Sequence, residues 1–352
     1  MELNQAKLEE FVHHAFTELS ANAGGVMVSI GDKLGLYRAM AGAGPLTAEE
    51  LAKRAGCAER YVREWLNSQA AGGYVEYHPE SATFELTPEQ AMVLADETSP
   101  VFLPAAWELA ASMWLDEEKT LDAFRTGKGV AWDAHNERLF CGTAAFFRNG
   151  YQENLVANWL PSLEGVTKKL EKGALVADIG CGYGHSSIIM AKAFPNSRFR
   201  GYDYHEESIE AARKNAKAAG LGDRVRFDVA KAKDYPNAGY DLICFFDCLH
   251  DMGDPVGAAK HARVALAKDG TVMLVEPFAG DRLEENLNPI GRMYYSASTT
   301  LCCAHSLSEE VGAALGAQAG EERLASVFRR AGFTRVRRAT ETPFNLILEA
   351  RP

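Results

Sequence analysis

The residues best suited to chemistry lie between Leu175 and Gly184, in the stretch LVADIGCGYG. A short apolar run closes on Asp178. Gly180, Gly182 and Gly184 then stand at alternate positions, ahead of a helical pattern that starts at His185. Glycine is required where the backbone takes positive φ or must lie against a ligand with no side chain between. Strand, tight glycine turn and helix together open a doubly wound nucleotide-binding sheet. A dinucleotide turn is spaced G-x-G-x-x-G and seats its pyrophosphate on the helix N-terminus. Here the third glycine comes one residue early. A carboxylate at Asp178 repels a pyrophosphate but can hold an ammonium group, so the turn suits a cationic, amino-acid-bearing cofactor. Asp203 closes a second strand, RFRGYD, 25 residues after Asp178. A carboxylate at that position accepts hydrogen bonds from both ribose hydroxyls. Tyr204 can pack on an adenine, whose edge runs along Ala230, Lys231 and Ala232 at the end of the third strand.

The elements that position these residues alternate from residue 174 onward, the mark of a parallel sheet. ALVAD, RFRGYD, RVRFDVA, YDLICFFD and TVMLVEP read as strands. Helices are expected over about 186–194, over ESIEAARKNAKAAG, over DPVGAAKHARVALAKDG with a stop at Gly270, and over ERLASVFRRAGF. TRVRRAT and FNLILEA form a final antiparallel hairpin. An insertion, 278–320, is expected as a flap on the substrate side.

Ahead of the sheet, residues 3–20 and 26–40 each carry helical apolar spacing. Thr47 with Glu50 makes a capping box for a helix ending at Gly56. A third helix stops at Gly72-Gly73, and YVEYHPESATFELT reads as a two-stranded wing. The expected division is therefore a winged-helix domain over 1–98, a helical bridge and lid over 99–172, and the sheet domain over 173–352. The bridge is rich in aromatics, and some of them are expected to line an apolar pocket.

A winged helix suggests DNA, but the charge argues otherwise. Residues 30–98 hold six Lys/Arg against eleven Asp/Glu, and the third helix offers only Arg60 and Arg63. A groove reader needs phosphate-neutralising charge. The whole chain, 352 residues with a net charge of −11, has no basic arm, which argues against nucleic acid and anionic membranes. No apolar run reaches spanning length, and the start, MELNQAKLEE, is acidic and helical, unlike a signal peptide. Seven cysteines at irregular spacing, with no C-x-x-C pair, read as reduced thiols of a cytoplasmic protein rather than a zinc site. The winged domain is expected to mediate self-association.

Residues 26–98 and 174–350 together resemble the bacterial winged-helix, class I methyltransferases that depend on S-adenosylmethionine (SAM). The likeness is close to the mycobacterial type and more distant to plant small-molecule O-methyltransferases. DIGCGYG, GYD, FFDCLHDMGDP, TVMLVEP and FRRAGF fall in that family's order. The resemblance implies an α/β fold, a seven-stranded Rossmann-like sheet behind an N-terminal all-α/winged-helix domain. It also implies SAM as cofactor, no metal, a homodimer, and methyl transfer to an oxygen of a small apolar or aromatic molecule. By that resemblance Asp178, Gly180, Cys181 and Gly182 serve the methionine moiety and Asp203 the ribose. Tyr204 and Ala230 to Ala232 then border the adenine, with Phe246 and Asp247 beside the cofactor. Many relatives have an acid where Lys231 stands, and a lysine cannot accept from the adenine amino group. His250, directly after the fourth strand, matches the general base of the plant-type relatives, whose near-neutral pKa suits removal of a hydroxyl proton; in other relatives a histidine here only packs near the cofactor. Glu276 matches the residue that orients it. A regulator that senses SAM is the alternative, and it would need a basic recognition helix.

Overall fold

The computed structural model describes residues 3–352. The chain divides into two units, the first ending at Leu109 and the second running from Ala110 to Pro352.

The first unit begins with α1 (Gln5–Lys33), α2 (Leu36–Met40), α3 (Ala48–Ala55) and α4 (Glu59–Ala71). A hairpin of β1 (Glu76–His78) and β2 (Thr83–Glu85) follows, then α5 (Pro88–Leu94), and α6 (Pro104–Leu115) crosses the unit boundary. The two helices expected over 3–20 and 26–40 are largely one element. α1 runs through Gly24-Gly25, and the chain turns only at Gly35, where φ is +68°. Two mid-helix glycines cost about 1 kcal/mol each, and packing outweighs them. Gly31 lies so close to Trp65 that a Cβ there would sit 2.5 Å from the indole, and Trp65 Nε1 donates to the Met27 carbonyl at 2.8 Å. Thr47 and Glu50 cap α3 reciprocally. Phe84 of the wing pairs with Leu46, and Tyr37, Met40, Leu51, Trp65 and Leu66 fill the core beneath. The apolar side of α4 is thereby used inside its own unit. α1 carries a run of exposed apolar side chains, among them Phe11 and Phe16, which are 68% and 70% exposed.

The second unit opens with α7 (Glu117–Thr126) and α8 (Arg138–Asn154), which continues through a π-turn into α9 (Leu160–Ser162), and then α10 (Val166–Lys172). The stretch 99–172, expected as a bridge of its own, is thus divided between the two units. Strand and helix then alternate as β3 (Leu175–Ile179), α11 (His185–Ala193), β4 (Arg198–Asp203), α12 (Glu206–Ala218), β5 (Val225–Val229), β6 (Tyr240–Phe246), α13 (Pro255–Ala265) and β7 (Leu266–Pro277). The insertion folds as α14 (Pro289–Ala297), a π-turn over Ser298–Cys302, and α15 (Cys303–Ser308); α16 (Gly320–Arg330), β8 (Arg335–Glu341) and β9 (Asn345–Arg351) complete the chain. α13 ends five residues before Gly270, because the chain from Leu266 already pairs with Tyr240 of β6.

The seven strands lie in the order β5-β4-β3-β6-β7-β9-β8. The first five are parallel to one another, and β9 is antiparallel to both of its neighbours. Both faces are covered, so the strands are nearly continuous apolar runs. Val176, Leu242, Cys244 and Phe246 pack against α11 and α12, whereas Ala177, Ile243 and Phe245 pack against α13 and α16. The strand order reverses between β3 and β6. The crevice outside the carboxyl ends of those strands is where open α/β sheets bind ligands.

Gly201 in the middle of β4 lies against Phe227 of β5, and a Cβ added there would sit 2.3 Å from the ring Cδ1. Its backbone is ordinary, so Gly201→Ala tests packing alone. Overpacking of this kind costs about 1–3 kcal/mol, and urea unfolding should show that loss. Gly222→Ala, with open space around the new methyl, should leave stability unchanged.

Candidate active site

The turn after β3 is shaped by two different demands on glycine. At Gly180 (φ +70°) a Cβ would strike Cys248 Sγ at 2.8 Å, and at Gly184 (φ +75°) it would strike Phe227 Cζ at 2.4 Å. Gly182 (φ +49°) has nothing within 4 Å of that position. Gly180 and Gly184 let the sheet and helix close up, while Gly182 leaves the backbone bare toward open space. That space is a cavity of about 510 Å³ at the carboxyl edge of β3 to β6. Its floor is Gly180 to Tyr183, and its walls include Asp203, Tyr204, Ala230 to Lys233, and Phe246 to Cys248. Trp132, Phe140, Phe147 and Tyr151 from the preceding segment close it with aromatic surface.

Asp203 ties the turn to the end of β4. One carboxylate oxygen accepts from Gly182 N at 2.9 Å and the other from His205 N at 2.9 Å. Each oxygen keeps a further lone pair for a ligand. Burial raises the Asp203 carboxyl above its usual range. Asp178 lies beneath the turn rather than on the cavity wall. Its Oδ2 accepts from Ser186 and Ser187 at 2.6 and 2.7 Å, and its Oδ1 is buried with no protein partner. Burial pushes its pKa up to about 6, against the pull of the two serines.

Residues 170–332 match the methyltransferase domain family, and residues 22–96 match the Rv2258c-like winged HTH domain family. The chain therefore joins an Rv2258c-like winged HTH domain to a methyltransferase domain. It is 34% identical over 107 residues to 27-O-demethylrifamycin SV methyltransferase of Amycolatopsis mediterranei, covering 30% of this chain and 39% of that protein. It is 24% identical over 253 residues to the mitomycin biosynthesis 6-O-methyltransferase of Streptomyces lavendulae, covering 68% and 70%. Human N-acetylserotonin methyltransferase, solved with SAM, superposes with a TM-score of 0.68 at 16% identity over 99% and 98% of the two chains, a likeness of fold. The matched region spans 37–40% of the length of the first three curated relatives.

Gly180, Cys181, Gly182, Asp203, Tyr204, Ala230, Lys231, Ala232, Phe246 and Asp247 all border one cavity. Lys231 borders the cavity, and the neighbouring Lys233 is engaged by Asp254 at 3.2 Å. His250 and Glu276 do not border the cavity. Glu276 is 1% exposed, and one of its oxygens accepts from Leu249 N at 2.9 Å and His250 N at 3.2 Å. Its other oxygen pairs with His250 Nδ1. The expected free nitrogen, Nε2, instead abuts Cys302 Sγ at 3.3 Å. Burial works against the imidazolium, but Glu276 and Cys302 outweigh it and hold the His250 pKa well above the ordinary value. With Nδ1 held by Glu276 and Nε2 against Cys302, the ring presents no open nitrogen to the cavity in this arrangement. The pair pins the 3-10 turn Leu249–Asp251 that carries the end of β6.

The cavity-facing acid at that end is Asp247. It adopts φ +48°, uncommon for a residue with a side chain. Its carboxylate is held by Tyr151 Oη, which donates at 2.8 Å, and by Asn345 Nδ2 at 3.2 Å. The sequence motifs put Asp247 beside the cofactor but give no sign of either partner, which come from α8 and β9. Nor do they mark Asp251 and His305, which line the same cavity. His305 lies parallel to the Tyr204 ring, with centroids 5.9 Å apart. No spacing in the chain signals contacts between residues about a hundred positions apart.

Burial pushes Asp247 up to about 8 and Asp251 up to about 7. Both are therefore protonated in the folded state where unfolded carboxyls are ionised. The stability this contributes is present below the ordinary carboxylate range and is lost as pH rises through the folded values. The melting temperature of the ligand-free protein should fall between pH 5 and pH 8 in scanning calorimetry. The slope should be shallower in Asp247→Asn, and a flat wild-type profile would contradict the neutral carboxyls.

Proposed function

We propose that the protein is a SAM-dependent methyltransferase acting on an oxygen of a small apolar or aromatic molecule. The observation that carries the reading is the cavity itself. A bare glycine backbone, a ribose-competent carboxylate and aromatic walls meet at the point where the strand order reverses. The residues present fit the cofactor. Gly180 to Gly182 would take its amino-acid end, with Asp178 steadying the turn from below. Asp203 would take the ribose, Tyr204 and Ala230 to Ala232 the adenine, and Phe246 and Asp247 the reacting end. SAM, when bound, supplies a methyl group on a sulfonium for in-line displacement. The protein's task is to hold the acceptor against that end and to exclude water, which aromatic surface suits. The His250–Glu276 pair acts in this reading at one remove, by fixing the turn that presents Phe246 and Asp247. It becomes a base only if Cys302 leaves Nε2.

A SAM-sensing regulator is less well supported. Arg60 and Arg63, the cations of the third helix of the winged domain, are already paired on the helix surface with Glu64 and Glu59. We read the domain as a dimerisation module, and the exposed Phe11 and Phe16 on α1 are the surface that fits a second copy. Free thiols at all seven cysteines suit a cytoplasmic enzyme, and no helix among the described residues is long and apolar enough to cross a membrane.

Calorimetry should detect binding of SAM and of its demethylated product, S-adenosylhomocysteine (SAH), and none of NAD. Asp203→Ala should weaken SAM binding by about 1.5–3 kcal/mol, the worth of hydrogen bonds to a charged group. Saturable NAD binding with no response to SAM would sink the reading. Light scattering should report a dimer that Phe11→Glu with Phe16→Glu converts to monomer, and DNA should give no mobility shift at low salt. A tight, salt-sensitive DNA complex would restore the regulator.

A further inference from the structure

We propose that Phe147, Tyr151, Phe246 and Asp247 form an onium cage that selects the positively charged sulfonium of SAM over the neutral thioether of SAH. The inference rests on the SAM-binding reading above and adds to it the group that reads the cofactor's charge.

The cavity carries several carboxylates, and most are already committed. Asp203 is held by two backbone N–H groups. Asp254 accepts from Lys233 at 3.2 Å and from Gly257 N at 2.8 Å. Glu309 accepts from Gly253 N at 2.7 Å, and Glu310 lies 3.8 Å from Lys233. Asp247 and Asp251 remain, and Asp247 is the one held by a tyrosine hydroxyl and an asparagine amide, both neutral. Three rings gather beside it. Tyr151 lies parallel to Phe147 at 5.8 Å between centroids and is tilted against Phe246 at 5.4 Å. All three rings border the cavity. Aromatic faces carry the negative end of the ring quadrupole, and rings gathered around an anion are the chemistry by which proteins bind onium groups. The cage stands at the end of β6, across from the glycine turn, where the reacting end of a bound SAM belongs in this fold.

The charge state follows from the surroundings. The groups facing Asp247 are Tyr151 from α8, Glu276 from β7, His250 and Asp251 from the turn after β6, Tyr294 from α14 and Asn345 from β9. Burial and Glu276 hold the Asp247 carboxyl neutral at pH 7, with its pKa up to about 8. A sulfonium favours the ionised form, so SAM binding releases the carboxyl proton to solvent, and SAH binding leaves it in place.

The test is isothermal titration of wild type with SAM, SAH and sinefungin, an analogue with an amine-bearing carbon in place of the sulfonium. It is run at pH 6, 7 and 8 in phosphate and in Tris, whose ionisation heats differ. The SAM-to-SAH affinity ratio should rise about tenfold per pH unit below pH 8, with a proton released on SAM binding and none on SAH. Sinefungin should follow SAM. In Asp247→Asn the ratio should become independent of pH and the proton release should vanish. Asparagine tolerates positive φ, so this variant suits the backbone. Phe147→Leu with Phe246→Leu, which opens the cage without touching the carboxylate, should lower the ratio several-fold. Asp251→Asn should keep it. A pH-independent ratio in wild type, an undiminished ratio in Asp247→Asn, or a loss that follows Asp251→Asn overturns the cage. Failure of all three ligands to bind overturns the cofactor reading itself.

Discussion

The turn that follows β3 must pass within contact distance of the turn that follows β6. Gly180 meets the Cys248 side chain there, and no larger residue fits. This close approach makes the crevice a single cavity rather than two separate strand ends. Asp203 then fixes the glycine turn from one side through Gly182 N. Glu276 fixes the β6 turn from the other, through the backbone of Leu249 and His250. Each anchor is an acid holding backbone N–H groups that a tight turn leaves without partners. The acids are therefore part of the scaffold before they are part of any chemistry.

That double use explains how the site divides its carboxylates. Those that hold backbone are shielded and satisfied. Two of those that face the cavity, Asp247 and Asp251, are desolvated strongly enough to outweigh the pull of His250, and so they keep their protons. An interior of this kind is poised for a positively charged ligand, since an incoming cation removes the cost of ionising a buried acid. The net acidity of the chain is no guide to this, because it counts solvated surface acids that never meet the cavity.

Much of the fold was legible because its signals are local. The alternation of apolar strands with helices, the Thr47–Glu50 box and the glycine turn each declare themselves within about ten residues, and the structure has them where they were expected. The readings that changed depend on partners distant in the chain. Two helices were expected over 3–20 and 26–40, but α1 runs through both stretches to Lys33, where Trp65 packs against Gly31. The winged domain was expected to self-associate, but Trp65 and Leu66 of its third helix are spent inside their own unit. His250 carried the right residue type at the right place. Its availability depends on Cys302, 52 positions away, and no pattern near His250 reports that contact. The Tyr151–Asp247 bond, 96 positions apart, was beyond reach for the same reason.

The placement of β9 bears on how such a molecule is made. The strand is translated after every other strand of the sheet, yet it inserts between β7 and β8 rather than adding at an edge. Its first residue, Asn345, also supplies one of the two hydrogen bonds that hold Asp247. On the ribosome the nucleotide-binding half can collapse early, but β7 keeps an unpaired edge until residues 345–351 emerge. Such an edge is sticky while it waits. The cavity wall is finished only when β9 seals that edge, so assembly of the binding site and burial of the sheet's most exposed hydrogen-bonding groups are the same late event.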